Sequence, residues 1–126
     1  MQSVSALITG ASKGIGLAVA KRFAPKLSEL HLAARGKDGL DKAAQLLQRP
    51  GLTIHLHTVD LTTERGVEAL ATAVKEVSPK LDLLVNNAGV YLPGTLVGKE
   101  SSDLRYMMNL NVLSHNELLN HLDDCF

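Results

Sequence analysis

The stretch Thr9-Gly10-Ala11-Ser12-Lys13-Gly14-Ile15-Gly16 lies between a short apolar run and a helical pattern, a setting that leaves few folds open. Glycines at 10, 14 and 16 carry no Cβ, so the backbone can turn tightly and offer its N–H groups to an anion at the start of the next helix. Strand, glycine turn and helix in that order make a phosphate cradle, and a dinucleotide pyrophosphate suits it. An ordinary glycine-rich βα turn is the rival account.

The flanking segments repeat that unit. Val4 to Thr9 is small or apolar throughout, as in a strand buried on both sides within a parallel sheet. Ile15, Ala18, Val19, Arg22 and Phe23 follow helical spacing and predict the stripe that packs on the sheet, with Pro25 as the stop. Leu30 to Ala34 reads as a second strand, and Gly36 and Gly39 precede a helix carrying Leu40, Ala43, Ala44 and Leu47, ended by Pro50-Gly51. Thr53 to Val59 is a third strand, with Asp60, Thr62 and Thr63 as cap candidates for a helix carrying Val67, Leu70, Ala71, Val74 and Val77. Ser78-Pro79 closes that helix, and Leu81 to Val85 is a fourth strand. Beyond a loop through Gly89, Pro93, Gly94 and Gly98, a last helix is predicted from a cap near Ser101-Ser102 to Leu122, with Leu104, Met107, Met108, Asn111, Val112, Leu118 and Leu119.

Short connections between such units require crossovers, and therefore a parallel sheet with helices on both faces. The expected class is α/β, Rossmann-like and doubly wound, one domain over residues 1–126 that stops after the fourth strand and its following helix. Asp123 and Asp124 place negative charge where a helix dipole favours cations, which reads as a helix cut short, and a fourth strand left at the margin would be a bare edge.

Composition removes other classes of function. Lys plus Arg and Asp plus Glu both number 13, so no overall field attracts nucleic acid or an anionic membrane. The lone Cys125 cannot build a disulfide framework or a cysteine zinc site, and the first residues lack the basic stretch of a signal peptide, so a cytoplasmic location is expected. His31, His55 and His57 fall on neighbouring strands, but no carboxylate or cysteine joins them by spacing, and no metal is expected.

Chemistry concentrates at the strand ends. Arg35 stands about 20 residues beyond the glycine loop, where the adenosine ribose is met. A guanidinium there, with Lys13 in the loop, suits the 2′-phosphate of NADP(H) over the bare ribose of NAD(H). Asp60, beside Leu61 at the exit of the third strand, could accept the adenine amino group or cap a helix. Asn86-Asn87-Ala88-Gly89 follows the fourth strand, where adjacent amides can brace loops by hydrogen bonding or make a turn. Asn111, seven residues after Leu104 on the apolar helical face, needs a partner.

With these motifs in place the chain resembles the short-chain dehydrogenases/reductases in their ordinary cytosolic form, over Val4 to about Leu122. The resemblance implies a Rossmann fold with cofactor contacts from Gly10, Ser12, Lys13, Gly14, Ile15, Gly16, Arg35, Asp60, Leu61, Asn87, Ala88 and Gly89. It also implies that Asn111 is the catalytic asparagine that helps position a water in a proton relay. The family's serine and Tyr-x-x-x-Lys have no counterpart here, because Thr95 stands four residues after Tyr91 and Leu110 four after Tyr106. Two readings follow. One is the N-terminal part of an NADP-dependent oxidoreductase acting on a small carbonyl or alcohol, inactive as this chain alone. The other is a non-catalytic nucleotide binder that regulates a full-length relative, pairing as a homo- or hetero-oligomer through its last helix.

Overall fold

The computed structural model describes residues 4–89, 105 and 114–126. Four strands, β1 (Ser5–Thr9), β2 (Glu29–Ala34), β3 (Thr53–Thr58) and β4 (Leu83–Val85), form one sheet in the order β3-β2-β1-β4. All three pairings are parallel. Helices α1 (Gly14–Phe23), α2 (Lys37–Leu47) and α3 (Glu64–Val77) join successive strands, and α4 (Ser114–Leu122) follows later in the chain.

Alternation along the central strands divides the core in two. Ala6, Ile8, Leu30 and Leu32 face Ala20, Ala24, Leu40, Ala43 and Leu47 of the α1–α2 layer. Leu7 and Ala33 face Val67, Leu70, Ala71, Val74, Leu118 and Leu122 of the α3–α4 layer. The sheet is therefore covered on both sides, as an all-parallel sheet requires, and the doubly wound Rossmann-like class holds. β1 is wholly buried because it lies between β2 and β4.

Several elements differ from the sequence reading. The stripe expected on α1 is rotated: Ile15 is 74% exposed, Ala18, Arg22 and Phe23 also face outward, and Gly16 and Ala20 are buried. The cause is Gly16, which must lie against the glycine turn, so the inward face centres on 16, 20 and 24, with Val19 of the expected stripe still packed at its margin. Pro25 does not simply end the helix but starts the 3₁₀ turn Ala24–Lys26 that carries the chain to Leu27. Gly39 sits inside α2 rather than before it, where its missing side chain lets Ser12 approach. Val77 is 46% exposed, so the inward stripe of α3 ends at Val74. β4 is shorter than Leu81 to Val85, since Leu81 N–H donates to Cys125 O and Asp82 N–H to Ser5 O before the ladder begins.

One of the acids at the end of α4 has a partner within the fold. A 3₁₀ turn, Asp123–Cys125, follows the helix, Cys125 is buried, and Asp124 pairs with Lys75 of α3 at 2.8 Å. That lysine answers the acid the helix dipole disfavours. The start expected near Ser101-Ser102, with Leu104, Met107, Met108, Asn111 and Val112, lies outside the described residues.

Candidate functional site

The carboxyl ends of β1, β2 and β3 and the segment after β4 open on one cavity of about 730 Å³. It is lined by Gly10, Ser12, Lys13, Gly14, Ile15, Ala33, Ala34, Arg35, Gly36, Gly39, Val59, Leu61, Asn87, Ala88 and Gly89. This is the crevice in which open α/β sheets bind ligands, and the volume is that of a small-molecule site.

One wall is the glycine turn. Gly10 adopts φ +64, and a Cβ there would come 3.0 Å from both Ala88 Cα and Asn87 Nδ2, so the turn and the β4 segment touch through its bare Cα. The turn delivers the chain to α1, whose N-cap Lys13 makes no side-chain cap and whose first turn holds no acid. The leading N–H groups of α1 thus carry the positive end of the dipole toward the cavity, and they fit an anionic group.

The opposite wall is braced by Thr9, which is fully buried. Its hydroxyl accepts from Asn87 N–H and Ala88 N–H, both at 2.9 Å, and donates to Val85 O at 3.4 Å. Asn87 Nδ2 donates to Gly10 O at 3.2 Å. The two loops are locked to each other by the residues that line the space between them. His115 of α4 adds a third tie, its Nε2 donating to Ala88 O at 2.6 Å. Asn86 Oδ1 is buried without a hydrogen-bond partner among the described residues, so only the second of the two adjacent asparagine side chains is seen bracing the turn.

Ten of the twelve cofactor contacts expected from the sequence line this cavity: Gly10, Ser12, Lys13, Gly14, Ile15, Arg35, Leu61, Asn87, Ala88 and Gly89. Gly16 lies behind the lining, packed against Gly10 O. Asp60 is exposed and lies outside the lining, its Oδ1 accepting from Thr62 N–H at 2.9 Å and Thr62 Oγ1 at 2.6 Å. These bonds, and more weakly the Arg35 guanidinium, hold its carboxyl below the usual range against the opposing pull of partial burial. The cap of α3 is Thr63, whose hydroxyl accepts from Gly66 N–H at 3.0 Å. Asn111 lies outside the described residues.

The sequence reading passed over Thr9 and His115 as structural partners, and Ala33, Ala34, Gly36, Gly39 and Val59 as lining. A threonine at the end of a strand, opposite Asn-Asn at the end of its neighbour, is a legible signal for the first. Nothing local marks His115, whose partner lies 27 residues away.

Comparison with known proteins agrees with this geometry. The short chain dehydrogenase family profile matches residues 4–124. A ketoacyl reductase from Streptomyces coelicolor, itself assigned only provisionally, is 36% identical over 111 residues, covering 88% of this chain and 41% of that one. The crystal structure of L-sorbose reductase from Gluconobacter frateurii, complexed with NADPH and L-sorbose, superposes with a TM-score of 0.91 at 32% identity, over 98% of this chain and 48% of that one. An alcohol dehydrogenase from the archaeon Thermococcus sibiricus, complexed with 5-hydroxy-NADP, gives a TM-score of 0.91 at 32% identity, over 98% and 53%. The chain therefore spans about half or less of the length of these relatives. Its sequence, its sheet and the cavity at the strand ends all place it in the short-chain dehydrogenase family of oxidoreductases.

Proposed function

We propose that residues 1–126 act as one NADP(H)-binding unit of an oxidoreductase that moves a hydride between the nicotinamide and a small carbonyl or alcohol. The observation that carries this reading is the cavity bounded by the uncapped start of α1 on one side and Arg35 on the other. Gly10, Ser12, Gly14 and Ile15 would hold the pyrophosphate by backbone N–H groups, while Lys13 and Arg35 would meet the 2′-phosphate. Val59 and Leu61 offer apolar walls and Asn87 to Gly89 an opposing one, so the residues present fit a dinucleotide. When bound, the nicotinamide supplies or accepts the hydride. The NADPH and 5-hydroxy-NADP complexes of the two superposed reductases support the choice of nucleotide.

A fluorescence titration of the purified chain tests it. NADPH is expected to bind more tightly than NADH, and Arg35→Asp should weaken NADPH about 10- to 100-fold while leaving NADH within a few-fold, the size of one lost charge-assisted contact. Equal affinity of the parent chain for both nucleotides would refute the assignment of Arg35. Turnover is a separate matter, because no Tyr-x-x-x-Lys lies within these 126 residues to exchange a proton with substrate. The chain by itself is expected to show no NADPH-dependent carbonyl reduction, and Asn111 to act only where such a tyrosine is supplied.

One observation favours a second reading, a nucleotide-binding regulator that pairs with a relative. Leu119 is 48% and Phe126 61% exposed at the outer end of α4. Co-purification of a homologous full-length chain, lost on Leu119→Lys, would support it, and a monomer that ignores such a chain would exclude it.

A further inference from the structure

Three histidines of β2 and β3 form a cluster that the cavity does not use. The register sets His31 opposite His55 and Ala33 opposite His57, so all three rings leave the sheet on its α3 side. The His31 ring stacks on His55 at 4.7 Å between centroids and 22° between planes, and on His57 at 5.2 Å and 19°. His31 Nδ1 meets His57 Nε2 at 2.9 Å, His31 Nε2 meets Ser78 Oγ at 2.9 Å, and His55 Nε2 meets Glu29 Oε2 at 2.5 Å. His31 has no exposed surface, and among the described residues no group of histidines, cysteines and acids is arranged to hold a metal ion.

Both ring nitrogens of His31 are thus committed. A hydrogen bond between two imidazoles needs one N–H and one bare nitrogen, so a proton on each ring would set two N–H groups head to head within a stack of cations. Among the described residues little nearby offsets that charge. On β2, Glu29 is taken by His55, and on the β1 side Leu7 is in register with His31. Asp82, before β4, accepts from Ser5 N–H. From α3 the inward groups are Val67, Leu70, Ala71, Val74 and, at its C-cap, the Ser78 hydroxyl. The charges of α3 lie elsewhere: Glu64 is exposed, Arg65, Glu68 and Glu76 line an outer groove, and Lys75 pairs with Asp124.

We propose that this imidazole stack is a proton-operated latch on the edge strand. When it charges, β3 parts from β2, and Val59 and Leu61, which follow β3 into the cavity, leave with it. The consequence for ligand rests on the reading of that cavity as a nucleotide site. Burial first, then the charges of His57 and His55, lower His31 from 6.5 to about 4, and burial with His55 lowers His57 as well. The open state takes the proton near the ordinary value and the closed state resists it. The stability of the closed form is therefore fully present above about 6.5 and is lost progressively as pH falls toward about 4.

Amide hydrogen exchange in β3 of the full 126-residue chain, corrected for intrinsic rates, reads the opening directly. Between about pH 7.5 and about pH 5 the opening constant is expected to rise about 30-fold from the His31 shift alone. In His31→Phe that rise should shrink to the smaller part that His57 contributes, because the ring stays but the His31 proton site goes. An NMR titration of the unsubstituted chain guards against a variant that fails to fold: the His31 ring should stay neutral below about pH 5. A His31 ring that titrates near its ordinary value overturns the latch, as does equal acid opening in a folded His31→Phe. NADP⁺ binding, followed in the same samples, should weaken with β3 opening more in the parent chain than in the variant, titration of the ligand's own phosphates being common to both. A chain that opens as expected yet binds no NADP⁺ at any pH supports the latch and overturns the nucleotide reading. A chain that binds NADP⁺ but shows no acid opening overturns the latch alone.

Discussion

Gly16→Ala is expected to cost at least about 3 kcal/mol of stability and to abolish measurable NADPH binding, the high end of what overpacking does. A Cβ at this position would lie 2.2 Å from Gly10 O and 2.6 Å from Asn87 Nδ2. The nearer atom is backbone, so no rotamer change relieves the clash. Either α1 moves away from the sheet, opening the layer that Ala20 and Ala24 close, or the turn at Gly10 moves and breaks its bond with Asn87. Both damage the cavity wall, because Gly10 and Asn87 line it. Small domains have only about 5–15 kcal/mol to lose, so a shift of this size is a large fraction of the total. Gly36→Ala is the control: nothing lies within 4 Å of its added Cβ, and its φ of −100 is open to any residue. It should cost about 1 kcal/mol or less. Urea midpoints and NADPH titrations of the two variants provide the comparison, and equal midpoints would sink the packing account of Gly16.

The same residue explains where the sequence could be read and where it could not. The turn was legible because its glycines occur between a strand and a helix, and only that setting gives them meaning. The face of α1 was not, since hydrophobic spacing that includes Ile15 and Phe23 competes with a steric demand at Gly16 that no hydropathy pattern carries. A glycine contributes nothing to an apolar stripe, yet here it sets which side faces the sheet. The stripe of α3 is legible through Val74 because its inward positions are all aliphatic and its N-cap threonine is local. Asp60 is a residue that position alone leaves open between adenine acceptor and helix cap: an Asx turn with Thr62 engages its Oδ1, and the cap of α3 is Thr63. Arg35 could be placed by distance along the chain alone, because β2 ends one residue earlier at the same sheet margin as the glycine turn.

Thr9→Val should be nearly as damaging, about 2–4 kcal/mol, through polar bookkeeping rather than volume. The β1–β4 ladder stops with Ile8 opposite Val85, so the N–H groups of Asn87 and Ala88 have no strand to pair with. Buried amides left without an acceptor are expensive, and the Thr9 hydroxyl accepts from both. Valine keeps the shape and the β-branched preference of the site, which isolates the missing oxygen as the cause. Thr9→Ser restores that oxygen while dropping a methyl group, and it should recover all but about 1 kcal/mol. A second consequence concerns ligand. With these two anchors gone, the segment from Asn87 to Gly89 is held to the turn only by Asn87 Nδ2, so NADPH affinity should fall in Thr9→Val by more than its loss of folded population explains, and return in Thr9→Ser. If Thr9→Val instead unfolds within about 1 kcal/mol of the parent, the amides have found water, and the brace between the two loops rests on Asn87 Nδ2 alone.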